Sequence, residues 1–196
     1  MRLPVLTPDA LTDQQRALYA DIAGGPRAQG PQYFALTNSD GSLRGPFNAF
    51  LFSPGLGNAI QALGSAVRFS TELTGRTREM AILVVAARWG SDFERESHEG
   101  VGRAAGVTDE ELADIRAGRV PKLADAQERA SIELVFAMAR GDVDDADWDR
   151  LIAVVGPSTA FELSTLVGYY ATIALQLRVF RVDSPGGGAS DTSEAS

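Results

Sequence analysis

The sequence predicts an all-α fold: one helical domain of about eight helices over residues 1–182, with a short irregular or hairpin segment near 30–45. Three observations predict it. Apolar residues recur at helical spacing, as in Phe47, Phe50 and Leu51 at i, i+3 and i+4. Helix-start signals precede such stretches: Ser91-Asp92-Phe93-Glu94 and Thr108-Asp109-Glu110-Glu111 both have the spacing of a capping box. Glycines close them, with Gly90, Gly106 and Gly118 each following a predicted helix. No repeat of solenoid period is present.

Taken in order, Thr7 and Pro8 open a helix over 7–23 that Gly24-Gly25-Pro26 stops. Residues 24–45 are the least regular. Tyr33-Phe34-Ala35-Leu36 reads as a short strand and Asn38-Ser39-Asp40-Gly41-Ser42 as a turn. Gly45-Pro46 opens a helix carrying Phe47, Phe50 and Leu51, and Pro54 breaks it. A helix over 56–70 is expected to bury Leu56, Ile60, Leu63 and Val67. The next, over 75–89, is apolar on all sides from Met80 to Ala87, which puts it in the middle of a bundle or under another subunit. Helices follow over 92–105, 108–117, 124–139, 145–155 and 158–180. From Asp183 the composition turns to Ser, Gly, Asp and Thr, and 183–196 reads as a disordered tail.

Composition narrows the function. With 26 acidic and 18 basic residues the net charge is -8, which argues against nucleic acid and against a polybasic membrane anchor. The absence of cysteine removes disulfides, thiol redox chemistry, cysteine nucleophiles and thiolate metal sites. His98 is the sole histidine, so no multi-histidine metal site can form within one chain. Lys122 is the sole lysine, beside Pro121, leaving little for Schiff-base chemistry. Neither a signal peptide nor a bilayer-length apolar run is evident, and the expected address is the cytoplasm.

Glu79, Glu94 and His98 are the candidate catalytic residues. Glu94 and His98 share a face of one predicted helix, and a turn at Gly90-Ser91 folds that helix back against the one carrying Glu79. A histidine beside a carboxylate donates and accepts protons near neutral pH. Structural readings stand beside these. Glu94 suits a capping box with Ser91, His98 suits a surface pair with Glu94, and Glu79 suits the exposed end of a buried helix. Arg76, Arg78, Arg88, Arg95 and Arg103 cluster nearby and read mostly as a solvated face. Arg88, next to the predicted turn, is the candidate for binding a substrate carboxylate. Phe47, Trp89, Phe93 and Tyr33 are candidates for an apolar substrate wall or for plain core.

The segment Leu73 to His98, continuing through Gly100–Gly106 and Val107-Thr108-Asp109-Glu110-Glu111-Leu112, resembles the core motif of the carboxymuconolactone decarboxylase family. The resemblance extends to Gly45–Pro54 upstream and Glu162–Tyr170 downstream, and so to most of residues 5–182. It implies an all-helical subunit that forms trimers or hexamers, a pocket near a subunit interface, and acid–base roles for Glu79 and His98. The alkyl hydroperoxide reductase D-like relatives carry C-x2-C-x3-H at this place. Here Ser91 and Glu94 stand at the two cysteine positions, so the motif supports no thiol peroxidase activity.

Three functions follow as expectations. The first is a cofactor-independent lyase or isomerase acting on a small carboxylated lactone or related enolisable acid. The second is another proton-transfer enzyme of aromatic or polyketide-type metabolism on the same scaffold. The third is a non-catalytic oligomeric binding protein.

Overall fold

The computed structural model describes residues 2–25, 28–29 and 35–182. Tyr33 and Phe34 of the expected strand, and the whole expected tail 183–196, lie outside the described residues. Among the described residues there are eight α-helices and no strand. They are α1 (Asp13–Ala23), α2 (Phe47–Phe50), α3 (Pro54–Phe69), α4 (Gly75–Trp89), α5 (Asp92–Ala104), α6 (Asp109–Arg116), α7 (Ala126–Arg140) and α8 (Asp145–Phe180).

The organising element is α4. Nothing on its surface from Glu79 to Ala86 is left to water, because α5, α6, α7 and α8 all pack on it. Thr74 starts it by accepting from the Thr77 N–H. Gly90 ends it in the left-handed conformation, at φ 60° and ψ 41°. The Ser91 N–H then reaches back to the Ala86 carbonyl at 2.9 Å, closing the last turn and reversing the chain into α5. This hairpin is what folds α5 against α4.

Three expectations are corrected. Residues 7–23 are not one helix: Pro8–Ala10 form a single 3-10 turn, Leu11 is extended at ψ 136°, and α1 starts at Asp13. Thr12, in a full capping box with Gln15, wins over Pro8 as the start signal, while buried Leu11 pins the connector. The segment expected to be irregular or a hairpin has, among its described residues, one antiparallel bridge, Thr37 to Leu43, which closes the turn at 38–42. Pro54 does not stand outside α3 but in its first turn, where a missing N–H costs nothing.

The third correction concerns the face of α3. Leu56 is 61% and Leu63 43% exposed, while Gly57, Gln61, Gly64 and Val67 face inward. Close approach decides this. A Cβ on Gly57 would stand 2.4 Å from the Phe50 carbonyl oxygen, so the small face of α3, and not its leucine face, fits against α2.

The helices expected over 145–155 and 158–180 are the two halves of α8, broken at Gly156, whose φ of 76° and ψ of 162° are not helical. Pro157 begins the second half. By length and composition α8 is apolar enough to cross a membrane. Leu163, Leu166, Ile173 and Leu177 of its second half are instead buried in the core.

Candidate active site

The α4–α5 hairpin brings Glu79, Glu94 and His98 together inside the protein. Glu79 Oε2 lies 2.6 Å from His98 Nδ1 and Glu94 Oε2 lies 3.3 Å from His98 Nε2. Each imidazole nitrogen therefore faces its own carboxylate. The side chains of Glu79, Glu94 and His98 are 0%, 6% and 6% exposed. Neither the surface-pair arrangement of His98 nor the exposed-end position of Glu79 is what the fold contains.

Glu94 also departs from the capping geometry. Ser91 Oγ accepts from the Glu94 N–H at 3.5 Å, but the Glu94 carboxylate turns to His98. Only the serine half of the box is made.

Two residues that sequence reasoning missed complete the cluster. Arg68, from the last turn of α3, places Nη1 3.8 Å from Glu79 Oε1. Tyr170, from α8, sets its ring edge-on to His98 with centroids 5.4 Å apart. Tyr169 packs edge-on to Tyr170 at 5.1 Å. Arg78, read as part of a solvated face, instead points Nε at Glu79 Oε1 from 3.6 Å. Both of those atoms are buried without a hydrogen bond. Glu79 thus balances two guanidiniums with one oxygen while holding His98 with the other.

The electrostatics follow from that geometry. Burial pushes the His98 pKa down, but Glu79 and Glu94 outweigh it and leave it above the ordinary imidazole value of 6.5. Burial pushes Glu79 up, but His98, Arg68 and Arg78 together hold it below the ordinary carboxylate value. Burial raises the Tyr170 phenol far beyond its usual range, so it stays protonated. The resulting array is a buried imidazole with a raised proton affinity and a carboxylate at each ring nitrogen.

The other expected site residues lie elsewhere. Arg88 is nine residues along α4 from Glu79, roughly 13 Å along the helix axis. It donates through Nε to the Ala139 carbonyl at 3.3 Å and lines a groove of about 400 Å³ with Arg116, Phe136 and Arg140. Phe47 is core, edge-on to Phe50 at 5.8 Å. Phe93 is buried against Gly45, where an added Cβ would meet its ring at 2.3 Å. Trp89 is partly buried and, with Phe93, Leu177 and Arg178, borders a separate cavity of about 350 Å³. Arg95 and Arg103 pair with Glu99, and Arg76 pairs with Glu111 and Glu128, as a charged rim.

The arrangement of helices is an all-helical fold of the alkylhydroperoxidase AhpD-like kind. Residues 54–137, which hold α3 to most of α7 and with them Arg68, Glu79, Glu94 and His98, match the family model of the carboxymuconolactone decarboxylase family. Comparison with curated proteins finds no match. Among solved structures, an uncharacterised peroxidase-related protein from Ralstonia eutropha JMP134 with an alkylhydroperoxidase AhpD core is similar at a TM-score of 0.69. Its identity is 16%, over 93% of this chain and 91% of that one. The debrominase Bmp8 is similar at a TM-score of 0.69 and 12% identity, over 94% of this chain and 91% of its own. A cysteine-to-alanine form of that debrominase in complex with 2,3,4-tribromopyrrole is equally similar, at 0.69 and 12%, over 94% and 92%. At these identities the likeness is one of fold.

Proposed function

We propose that this protein is a cofactor-independent acid–base enzyme that decarboxylates or isomerises a small carboxylated lactone or a related enolisable acid. The observation that carries the reading is His98, buried and gripped at both nitrogens by Glu79 and Glu94. The family match of residues 54–137 supports it.

In the decarboxylation, the bond from ring carbon to carboxylate breaks and carbon dioxide leaves. The electron pair passes into a conjugated carbonyl, and a proton from His98 Nε2 then joins carbon. Glu79 holds Nδ1, which fixes the ring and stabilises the imidazolium. Glu94 shares the Nε2 proton and supports its return from solvent. A raised pKa keeps more imidazolium available at neutral pH than a free histidine has. An isomerisation would use the same proton in both directions.

The test sets the wild type beside His98→Ala, following loss of γ-carboxymuconolactone by absorbance and carbon dioxide by mass spectrometry. Turnover by the wild type is expected, reduced about 10²–10⁴-fold in a variant that keeps its helicity and size. A folded wild type that turns nothing over rejects the decarboxylase.

A second reading has its own support. The debrominase of similar fold was solved with an aromatic heterocycle, 2,3,4-tribromopyrrole. A proton-transfer enzyme for uncharged aromatic or polyketide-type substrates would use the same His98. This sequence has no cysteine, so thiol chemistry is outside either reading. Assembly into a homo-oligomer, a trimer or hexamer, belongs to the proposal. The exposed apolar side chains Phe52, Leu56, Leu63 and Phe69 around α3 and Phe161 on α8 support it.

A further inference from the structure

Arg88, which the sequence offers as a binding residue, has no part in the His98 cluster. It reaches from the last turn of α4 to the end of α7, where its Nε donates to the Ala139 carbonyl at 3.3 Å. Arg140 is the next residue and the last of α7. Both line the groove of about 400 Å³, to which α6 adds Arg116. The three arginines are not equivalent. Arg116 is neutralised by Glu99, its Nε 2.6 Å from the carboxylate. Neither Arg88 nor Arg140 meets a carboxylate among the described residues. Other parts of the wall are apolar: Val84 is buried, and Phe136 and Ala139 are half-buried.

Helix ends do not account for this pair. A helix C-terminus offers about half a negative charge, a partner for one exposed cation. The end of α7 holds two, one from its own last turn and one borrowed from α4. Like charges drawn together without a counter-charge repel, and an anion beside them removes the repulsion. Arg88 is also fastened through Nε, which leaves the donors of its two Nη nitrogens for a ligand. The chain as a whole, at net charge -8, repels anions, so an anion site on it has to be local.

We propose that the Arg88–Arg140 corner of this groove binds a phosphate monoester that carries a ring. Two uncompensated cations at one end of the groove match a head that concentrates about two negative charges, as a phosphate monoester does near neutral pH. A monocarboxylate supplies one charge, and a dicarboxylate spreads its two apart. Phe136, Val84 and Ala139 give the ring an apolar surface. The volume is that of a small-molecule site, commonly about 300–1,000 Å³. Arg88 stands roughly 13 Å along α4 from Glu79, so this site is separate from the acid–base cluster and does not depend on the reading of it.

The test is calorimetric titration of the full-length protein at about pH 8, where the ester is a dianion, in about 0.1 M salt, which screens diffuse surface charge. The probes are phenyl phosphate, methyl phosphate, which lacks the ring, and benzenesulfonate, which has the ring and a single charge. Phenyl phosphate is expected to bind with a Kd below about 1 mM, at least about tenfold tighter than either of the others. Arg88→Gln and Arg140→Gln are each expected to weaken it at least about tenfold. Both residues are exposed, and an unchanged urea midpoint shows that each variant folds. Arg150→Gln removes a surface cation elsewhere and is expected to bind as the wild type does. The NMR signals of His98, the sole histidine, are expected to stay in place during the titration. Absence of saturable binding by the wild type would overturn the proposal. So would binding indifferent to Arg88 and Arg140, an equal loss in Arg150→Gln, or a His98 shift that follows the titration. Methyl phosphate or benzenesulfonate binding as tightly as phenyl phosphate would overturn the ligand class.

Discussion

Helices α4 and α5 carry two charged clusters made from the same residue types, and the two do different things. Around His98, Glu79 meets Arg68, Arg78 and the imidazole with its carboxylate fully buried. Around Glu99, the carboxylate meets Arg95, Arg103 and Arg116, whose side chains are 35%, 46% and 42% exposed. Water screens the second cluster and is kept from the first. A charge removed from the rim is replaced by solvent, whereas one removed from the interior leaves its partners stranded. Burial, and not the number of ion pairs, makes a charged residue consequential here.

The sharpest way to break this comparison is at its two carboxylates. Glu79→Ala strands Arg68, Arg78 and His98 together. It is expected to cost about 3–5 kcal/mol, read as a lowered midpoint in urea or guanidinium. If Glu79→Ala unfolds like the wild type, the buried cluster is not the electrostatic unit described. Arg116→Ala, which removes the 2.6 Å contact to Glu99, is expected to cost about 0.2–1 kcal/mol in the same measurement. It should cost less still at high salt. A loss from Arg116→Ala as large as that from Glu79→Ala would erase the distinction between rim and interior.

Legibility followed the range of the interaction. Helix α4 and the turn after it were readable because Thr74, Gly90 and the apolar run Met80–Ala87 are local signals. The break in α8 was readable from Gly156-Pro157 for the same reason. The face of α3 was not. Its leucine stripe obeys helical periodicity, but Gly57 permits a closer approach, and only the tertiary packing reveals which face wins. The pairing of Glu79, Glu94 and His98 needed just a hairpin and could be anticipated. Arg68 and Tyr170 come from α3 and α8, and no spacing rule joins them to α4. Tyr170 falls within the helix predicted over 158–180 and Arg68 within the one over 56–70, with nothing local to connect either to a histidine. Arg88 was misplaced because nearness in sequence to the α4–α5 turn is not nearness to Glu79, which lies on the same helix but two and a half turns away.

The central claim is that His98 is a buried imidazole poised by two carboxylates, and its own titration tests that most directly. Arg68, Arg78, Glu79, Glu94, Tyr169 and Tyr170 are the ionisable groups around it on α3, α4, α5 and α8. The NMR pH titration of this single histidine is expected to give a pKa above 6.5, since the carboxylates outweigh burial. Stability should follow with the matching sign. The contribution of His98 is full below its unfolded value of about 6.5 and fades as pH rises through the folded one. Glu79, lowered from 4.5, contributes above that value and loses its contribution as pH falls through its folded pKa. A pKa above 6.5 that drops in Glu79→Gln is the predicted result. A pKa at or below 6.5 that ignores Glu79→Gln would contradict it.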